Sequence, residues 1–69
     1  MKPSEVRNLS EDEVRAKIRE SLEELFRLRL QQASRQLSNT ARIREVRKDI
    51  ARLKTWERQL ELEKAASHD

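Results

Sequence analysis

Neither glycine nor cysteine occurs in this chain of 69 residues, and proline occurs once, at Pro3. An average composition near 7% glycine would supply about five. Their absence excludes phosphate-cradling glycine loops and hairpin turns that need glycine at positive φ. Without cysteine there is no disulfide, thiolate nucleophile or cysteine zinc site, which suits a reducing cytosol. From residue 4 onward nothing breaks a helix by covalent geometry. Aromatic residues are scarce too, with Phe26 and Trp56 the only two. No apolar run approaches the roughly 18 residues that span a bilayer. The opening Met1-Lys2-Pro3-Ser4-Glu5 lacks the apolar stretch of a secretory leader. A cytoplasmic chain with no membrane contact is expected.

What the chain has in abundance is charge. Charged residues make up 42% and hydrophobic residues 35%, and the blend of Glu, Arg, Lys, Leu and Ala favours long helices or a coiled coil. The net charge of +3 is unevenly spread. Residues 1–24 hold five basic and seven acidic side chains, residues 25–58 ten basic and three acidic, and residues 59–69 one basic and three acidic. The positive field is therefore concentrated in the middle of the sequence rather than in a tail. A single small domain of this size has little core of its own, so a partner is expected to contribute to its stability.

Ser10-Glu11-Asp12-Glu13 fits a capping box, in which the serine reaches the N3 amide and Glu13 reaches back. Leu9 and Val14 stand where a hydrophobic staple would, and the three acids suit the positive helix end. A first long helix is predicted over residues 11–37, preceded by a short turn over residues 3–8 that Pro3 starts. Its apolar residues Val14, Ile18, Leu22, Leu25, Phe26, Leu28, Leu30, Ala33 and Leu37 cover an arc of about 200° at 100° per residue. That is wider than one helix–helix seam needs. Two neighbours are expected: the partner helix, and something else near Phe26 to Leu30. Ser38-Asn39-Thr40 forms the turn, with Asn39 or Thr40 capping the next helix. A second helix is predicted over residues 41–63, with a frayed tail at 65–69. Its seam is Ile43, Val46, Ile50, Leu53 and Leu60, interrupted by Glu57, with Trp56 at its edge. So short a turn makes the helices antiparallel. The expected fold is all-α: a long antiparallel two-helix hairpin with a short N-terminal helical turn, forming one domain over residues 1–69.

The second helix presents two faces. With Ile43 at zero, Arg47, Lys54 and Arg58 project between about 20° and 60°, Arg44 near 100°, Lys48 near 140° and Arg52 near 180°. The seam centres near 300°. This cationic flank is either a solvated face or a phosphate-binding strip, whose every neutralised phosphate would steepen the salt dependence of binding. Arg27, Arg29 and Arg35 form a second cluster around Phe26, Leu28 and Leu30. Arg29 projects into the apolar arc, where its stem packs and its head snorkels, or where it meets a nucleic-acid groove. Trp56 beside Leu53 and Leu60 belongs to the core or edge of the hairpin. Single-strand stacking platforms need exposed rings and are not supported. Glu20 and Glu24 share a helix face but have no histidine near them, and His68 is alone in the tail. No enzyme, metal site or cofactor is expected.

Phe26-Arg27-Leu28-Arg29, Gln32-Ala33, Gln36-Leu37 and the stretch from Asn39 to Leu53, with Val46-Arg47-Lys48-Asp49-Ile50-Ala51-Arg52 inside it, resemble the bacterial large-subunit ribosomal protein number twenty-nine family. The opening Lys2-Pro3-Ser4-Glu5-Val6-Arg7 is similar as well, and the likeness spans essentially residues 1–60. It implies a ribosome-bound structural protein that binds large-subunit (23S) rRNA near the polypeptide exit. The neighbour implied is ribosomal protein number twenty-three, in a region that receives nascent-chain chaperones and targeting factors. Carried over to matching positions, the implied RNA contacts are Arg29, Gln32, Gln36, Arg44, Arg47, Lys48, Arg52 and Lys54. One position departs from the pattern: Arg35 stands where the family usually has glycine. Helix one is expected to continue through it.

Two readings from different classes follow. One is a non-enzymatic rRNA-binding scaffold. The other is a coiled-coil protein–protein adaptor or homodimer without RNA binding, to which the wide arc of helix one would contribute; the interruption at Glu57 and the one-sided charge count against it. An amphipathic helix on an anionic membrane is a third class, disfavoured by the acidic first helix.

Overall fold

The computed structural model describes residues 1–35 and 40–66. Three helices account for nearly all of them: α1 (Pro3–Arg7), α2 (Glu11–Ala33) and α3 (Ala41–Ala66). At about 1.5 Å per residue the two long helices measure roughly 35 and 39 Å. They pack side by side into a rod 53 Å long, with α1 lying against α3. The expected all-α hairpin with a short N-terminal helix is the fold.

Each helix starts where local chemistry directs. Pro3 opens α1, and the Lys2 amide donates to Glu5 Oε2 at 3.3 Å. At the start of α2 the capping box is complete: Glu13 N donates to Ser10 Oγ at 3.3 Å and Ser10 N to Glu13 Oε1 at 3.1 Å. These bonds satisfy amides that a helix start leaves orphaned. They also hold the Glu13 carboxyl below the ordinary glutamate value of 4.5, the Ser10 amide being the larger cause and the Ser10 hydroxyl the next. At the start of α3 the Thr40 carbonyl accepts from Ile43 and Arg44. Asn39, the other candidate cap, lies outside the described residues.

The end of α2 differs from expectation. The helix stops at Ala33 rather than at residue 37, and Arg35 does not continue it. Ser34 turns its hydroxyl back onto the carbonyls of Leu30 (3.1 Å) and Gln31 (3.2 Å), and Arg35 takes φ 61°. A short polar side chain that satisfies the last carbonyls competes with further helical bonding, and a left-handed residue then turns the chain away. Leu37 and the rest of the expected turn up to Asn39 lie outside the described residues. At the other end, α3 runs on to Ala66, three residues past its expected limit, so Ala65 and Ala66 are helical rather than frayed.

The core is narrow. Among the described residues six side chains are buried: Val6 of α1, Val14 of α2, and Ile43, Val46, Ile50 and Leu53 along the seam of α3. Leu60 and Trp56 are half-buried. Among the described residues, ion pairs cross between the long helices at Arg42–Glu24 (2.6 Å), Arg15–Glu57 (3.5 Å) and Lys64–Glu11 (3.9 Å). Rising α3 numbers face falling α2 numbers, which is the antiparallel register. Glu57, the interruption in the seam, thus faces Arg15 instead of an apolar side chain.

Candidate nucleic-acid interface

The middle of α3 turns its apolar residues toward α2 and α1, so its cations are displaced to the flank and back. Arg44, Arg47, Lys48 and Lys54 are exposed and form no ion pair or side-chain hydrogen bond among the described residues. They stand in two rows. Arg44, Lys48 and Arg52 follow at intervals of four, about 6 Å per step, while Arg47, Lys54 and Arg58 line the neighbouring flank. Like charges at i, i+4 repel by a few tenths of a kcal/mol per pair, so the row alone gives the helix nothing.

The three acids interleaved with these cations do not neutralise them. Glu45 Oε2 pairs with Arg42 Nη1 at 3.2 Å, Asp49 Oδ1 with the Met1 ammonium at 2.9 Å, and Glu57 Oε2 with Arg15 Nε at 3.5 Å. Each carboxylate is directed at a cation outside the two rows. Arg42, although part of the basic stretch, is likewise drawn away. Its Nε and Nη2 both donate to Glu24 Oε1, and this, more than Glu45, raises its pKa further above the ordinary arginine value.

The residues that the resemblance implies do not form one patch. Arg44, Arg47, Lys48 and Lys54 share the exposed side of α3. Arg52 continues their row, but its Nη1 donates to the Met1 carbonyl at 2.8 Å, so part of its fork holds the N-terminal segment. Arg29 and Gln32 are exposed on the last turns of α2, toward the turn end of the hairpin beyond the Glu24–Arg42 pair. Gln36 lies outside the described residues. Among the described residues no group of three or more His, Cys, Asp or Glu could hold a metal ion. No described helix is long and apolar enough to cross a membrane.

The wide arc of α2 divides in two. Ile18, Leu25 and Leu28 are half-buried, whereas Leu22, Phe26 and Leu30 are 45, 66 and 55% exposed. These three recur every four residues as an apolar stripe that α3 does not cover.

Comparison with known proteins decides the family. The profile of the Ribosomal L29 protein family matches residues 4–59, most of the chain. The chain belongs to the ribosomal L29 protein family. It is 57% identical over 63 residues to large ribosomal subunit protein uL29 of Lactobacillus delbrueckii subsp. bulgaricus, covering 91% of this chain and 97% of that protein. Its counterpart from Geobacillus stearothermophilus is 58% identical over 62 residues, covering 90% and 94%. That from Staphylococcus aureus (strain JH9) is 52% identical over 68 residues, covering 99% of each. By its L29 membership the chain is a structural protein of the large ribosomal subunit and not an enzyme. The resemblance read from the Val46–Arg52 segment is thereby established.

Sequence reasoning singled out the α3 cations as a group and missed which of the basic stretch are engaged. The partners of Arg42 and Arg52 lie 18 and 51 residues away in the chain. It also missed Arg7 and Gln59, which border a cleft between α1 and α3. Nothing in the spacing of α3 marks Gln59, because the cleft exists only where α1 folds back.

Proposed function

We propose that the chain binds large-subunit 23S rRNA through the exposed side of α3, in the cytoplasm and bound to the ribosome near the polypeptide exit. Arg44, Arg47, Lys48 and Lys54 supply the phosphate contacts, and Arg29, Gln32, Gln36 and Arg52 add to them. The observation that carries this reading is the fate of the three interleaved acids. Glu45, Asp49 and Glu57 are all paired with cations outside the two rows, so among the described residues four neighbouring cations stand without internal partners. A merely solvated helix face gains from alternating its charges at i, i+4; this one keeps them apart, as a surface for a polyanion would.

Replacing Arg47 and Lys54 together by alanine removes two such contacts without touching the seam. Affinity for 23S rRNA is expected to fall, and the slope of log K against log salt to flatten by about two. Filter binding over a salt series measures both. A double variant with the parent slope would refute the reading.

A protein neighbour is the second contact. Leu22, Phe26 and Leu30 form an exposed apolar stripe of the kind that marks protein–protein surfaces. Ribosomal protein number twenty-three is the neighbour that the family implies, and chaperones or targeting factors for nascent chains are further candidates. The adaptor or homodimer reading would use the same stripe but gives the unpaired cations no role.

A further inference from the structure

The short helix α1 lies against α3 and leaves an open cleft of about 610 Å³ beside it. That volume falls within the roughly 300–1,000 Å³ of ligand pockets. Pro3, Val6, Ala51 and Trp56 form its apolar walls, while Arg7, Arg52, Thr55, Gln59 and Glu63 supply the polar ones. We propose that this cleft receives one unstacked base of the bound RNA, laid against Trp56 and met at its edge by Gln59. The proposal rests on the RNA-binding reading above and adds to it a site that reads a base rather than a phosphate.

Four observations support it. The first is continuity. Lys48, Arg52, Thr55 and Gln59 stand at intervals of four, three and four, so one row of α3 leads from the cationic strip directly into the cleft. A backbone held by Arg44, Lys48 and Arg52 has its next nucleotide over the opening.

The second is charge. Arg7 and Arg52 stand at the cleft, and neither is in an ion pair among the described residues. Arg52 spends Nη1 on the Met1 carbonyl, which fixes the guanidinium and leaves its other N–H groups to donate. Glu63 stands three turns of α3 from Arg52 and is unpaired among the described residues. Its charge repels a phosphate and accepts from an exocyclic amino group, so it orients the nucleotide with its phosphate toward the arginines.

The third is the aromatic wall, which the sequence alone did not support as a stacking surface: Trp56 is half-buried, yet it lines the cleft. Trp56 Nε1 donates to the Leu9 carbonyl at 3.0 Å, so the indole is held in place with its polar atom already satisfied. A fixed ring loses little entropy on stacking, and base–aromatic stacking tolerates any base. The fourth is the pair of hydrogen-bonding groups. Thr55 Oγ1 donates to the Ala51 carbonyl at 2.9 Å and is left as an acceptor. The Gln59 amide has no partner among the described residues and offers both donor and acceptor to a base edge. An apolar side chain from a protein would leave Gln59 and the arginines unmatched, which favours a nucleotide.

The test uses the full chain and 23S rRNA, with two readouts. Trp56 is the only tryptophan, so its emission reports on the cleft alone. Saturating rRNA is expected to quench it at least twofold. Ala51→Leu narrows the cleft while keeping every charge and a good helix former. It is expected to weaken rRNA binding about tenfold, the loss of one stacked base, with the salt slope unchanged. Circular dichroism checks that the variant folds, and Gln59→Ala, an exposed change, is expected to weaken binding severalfold as well. If rRNA binds the parent chain without quenching Trp56, or binds Ala51→Leu as tightly as the parent, the cleft proposal is overturned and the RNA reading stands. If the parent chain fails to bind rRNA at all, the RNA reading fails and the cleft proposal with it.

Discussion

Arg35 shows most plainly what a single residue decides. Its φ of 61° is the left-handed conformation, which costs a residue with a Cβ roughly 1–2 kcal/mol and glycine almost nothing. Glycine, which the family resemblance leads one to expect there, would adopt this φ freely once Ser34 has closed the helix. Arg35→Gly is therefore expected to stabilise the hairpin by about 1 kcal/mol. Urea unfolding monitored by circular dichroism should show a higher midpoint with an unchanged m-value. An unaltered or lower midpoint would mean that the arginine side chain contributes as much as its backbone costs. The sequence marked Arg35 as unusual but suggested a continuing helix, because a run without glycine or proline contains no covalent stop. The stop was supplied by the Ser34 hydroxyl.

At the scale of the element, helix starts were legible and helix ends were not. Ser10 and Glu13 lie three apart, and their two hydrogen bonds form as soon as the first turn does. Such a cap carries a pH dependence whose sign is determined. The bonds lower the folded pKa of Glu13, so its contribution is complete above the ordinary value of 4.5 and is lost as the pH falls through the lower folded value. Helicity is expected to decline more steeply on acidification from about pH 5 for the parent chain than for Glu13→Gln, which keeps a hydrogen-bonding side chain without the charge. Equal declines would remove Glu13 from the acid response. The seam of α3 was legible as well: Ile43, Val46, Ile50 and Leu53 recur at three and four, and all four are buried. For α2 the apolar arc showed that there was more surface than one neighbour could cover, but not which part would stay bare.

The whole molecule is a rod held in antiparallel register by Arg42–Glu24, Arg15–Glu57 and Lys64–Glu11, with an apolar stripe exposed on α2 and cations exposed on α3. The exposed pairs contribute little to stability individually. Of the three, Arg15–Glu57 also withdraws a carboxylate from the cationic rows. The stripe is expected to act only within the assembled particle. Phe26 is 66% exposed, so Phe26→Ser should change the unfolding free energy by no more than about 0.5 kcal/mol. It should leave affinity for naked 23S rRNA intact while reducing co-sedimentation with large ribosomal subunits. Equal incorporation of variant and parent would remove the stripe from the list of contact surfaces.

The sequence by itself determined the three helices, the start of the first at Pro3, the cap that begins the second, the buried seam and the family, because each depends on residues three or four apart or on their order along the chain. Tertiary structure alone decided which charges remain available and that a cleft exists at all. Arg42 and Glu24 are 18 residues apart, Trp56 and Leu9 47, and Arg52 and Met1 51. A cation's freedom depends on the carboxylate brought beside it, and no local spacing states which one that is. The basic stretch could be read as a strip from its composition. Only the folded chain separates Arg42, held by Glu24, from Arg44, Arg47, Lys48 and Lys54, which are left facing outward.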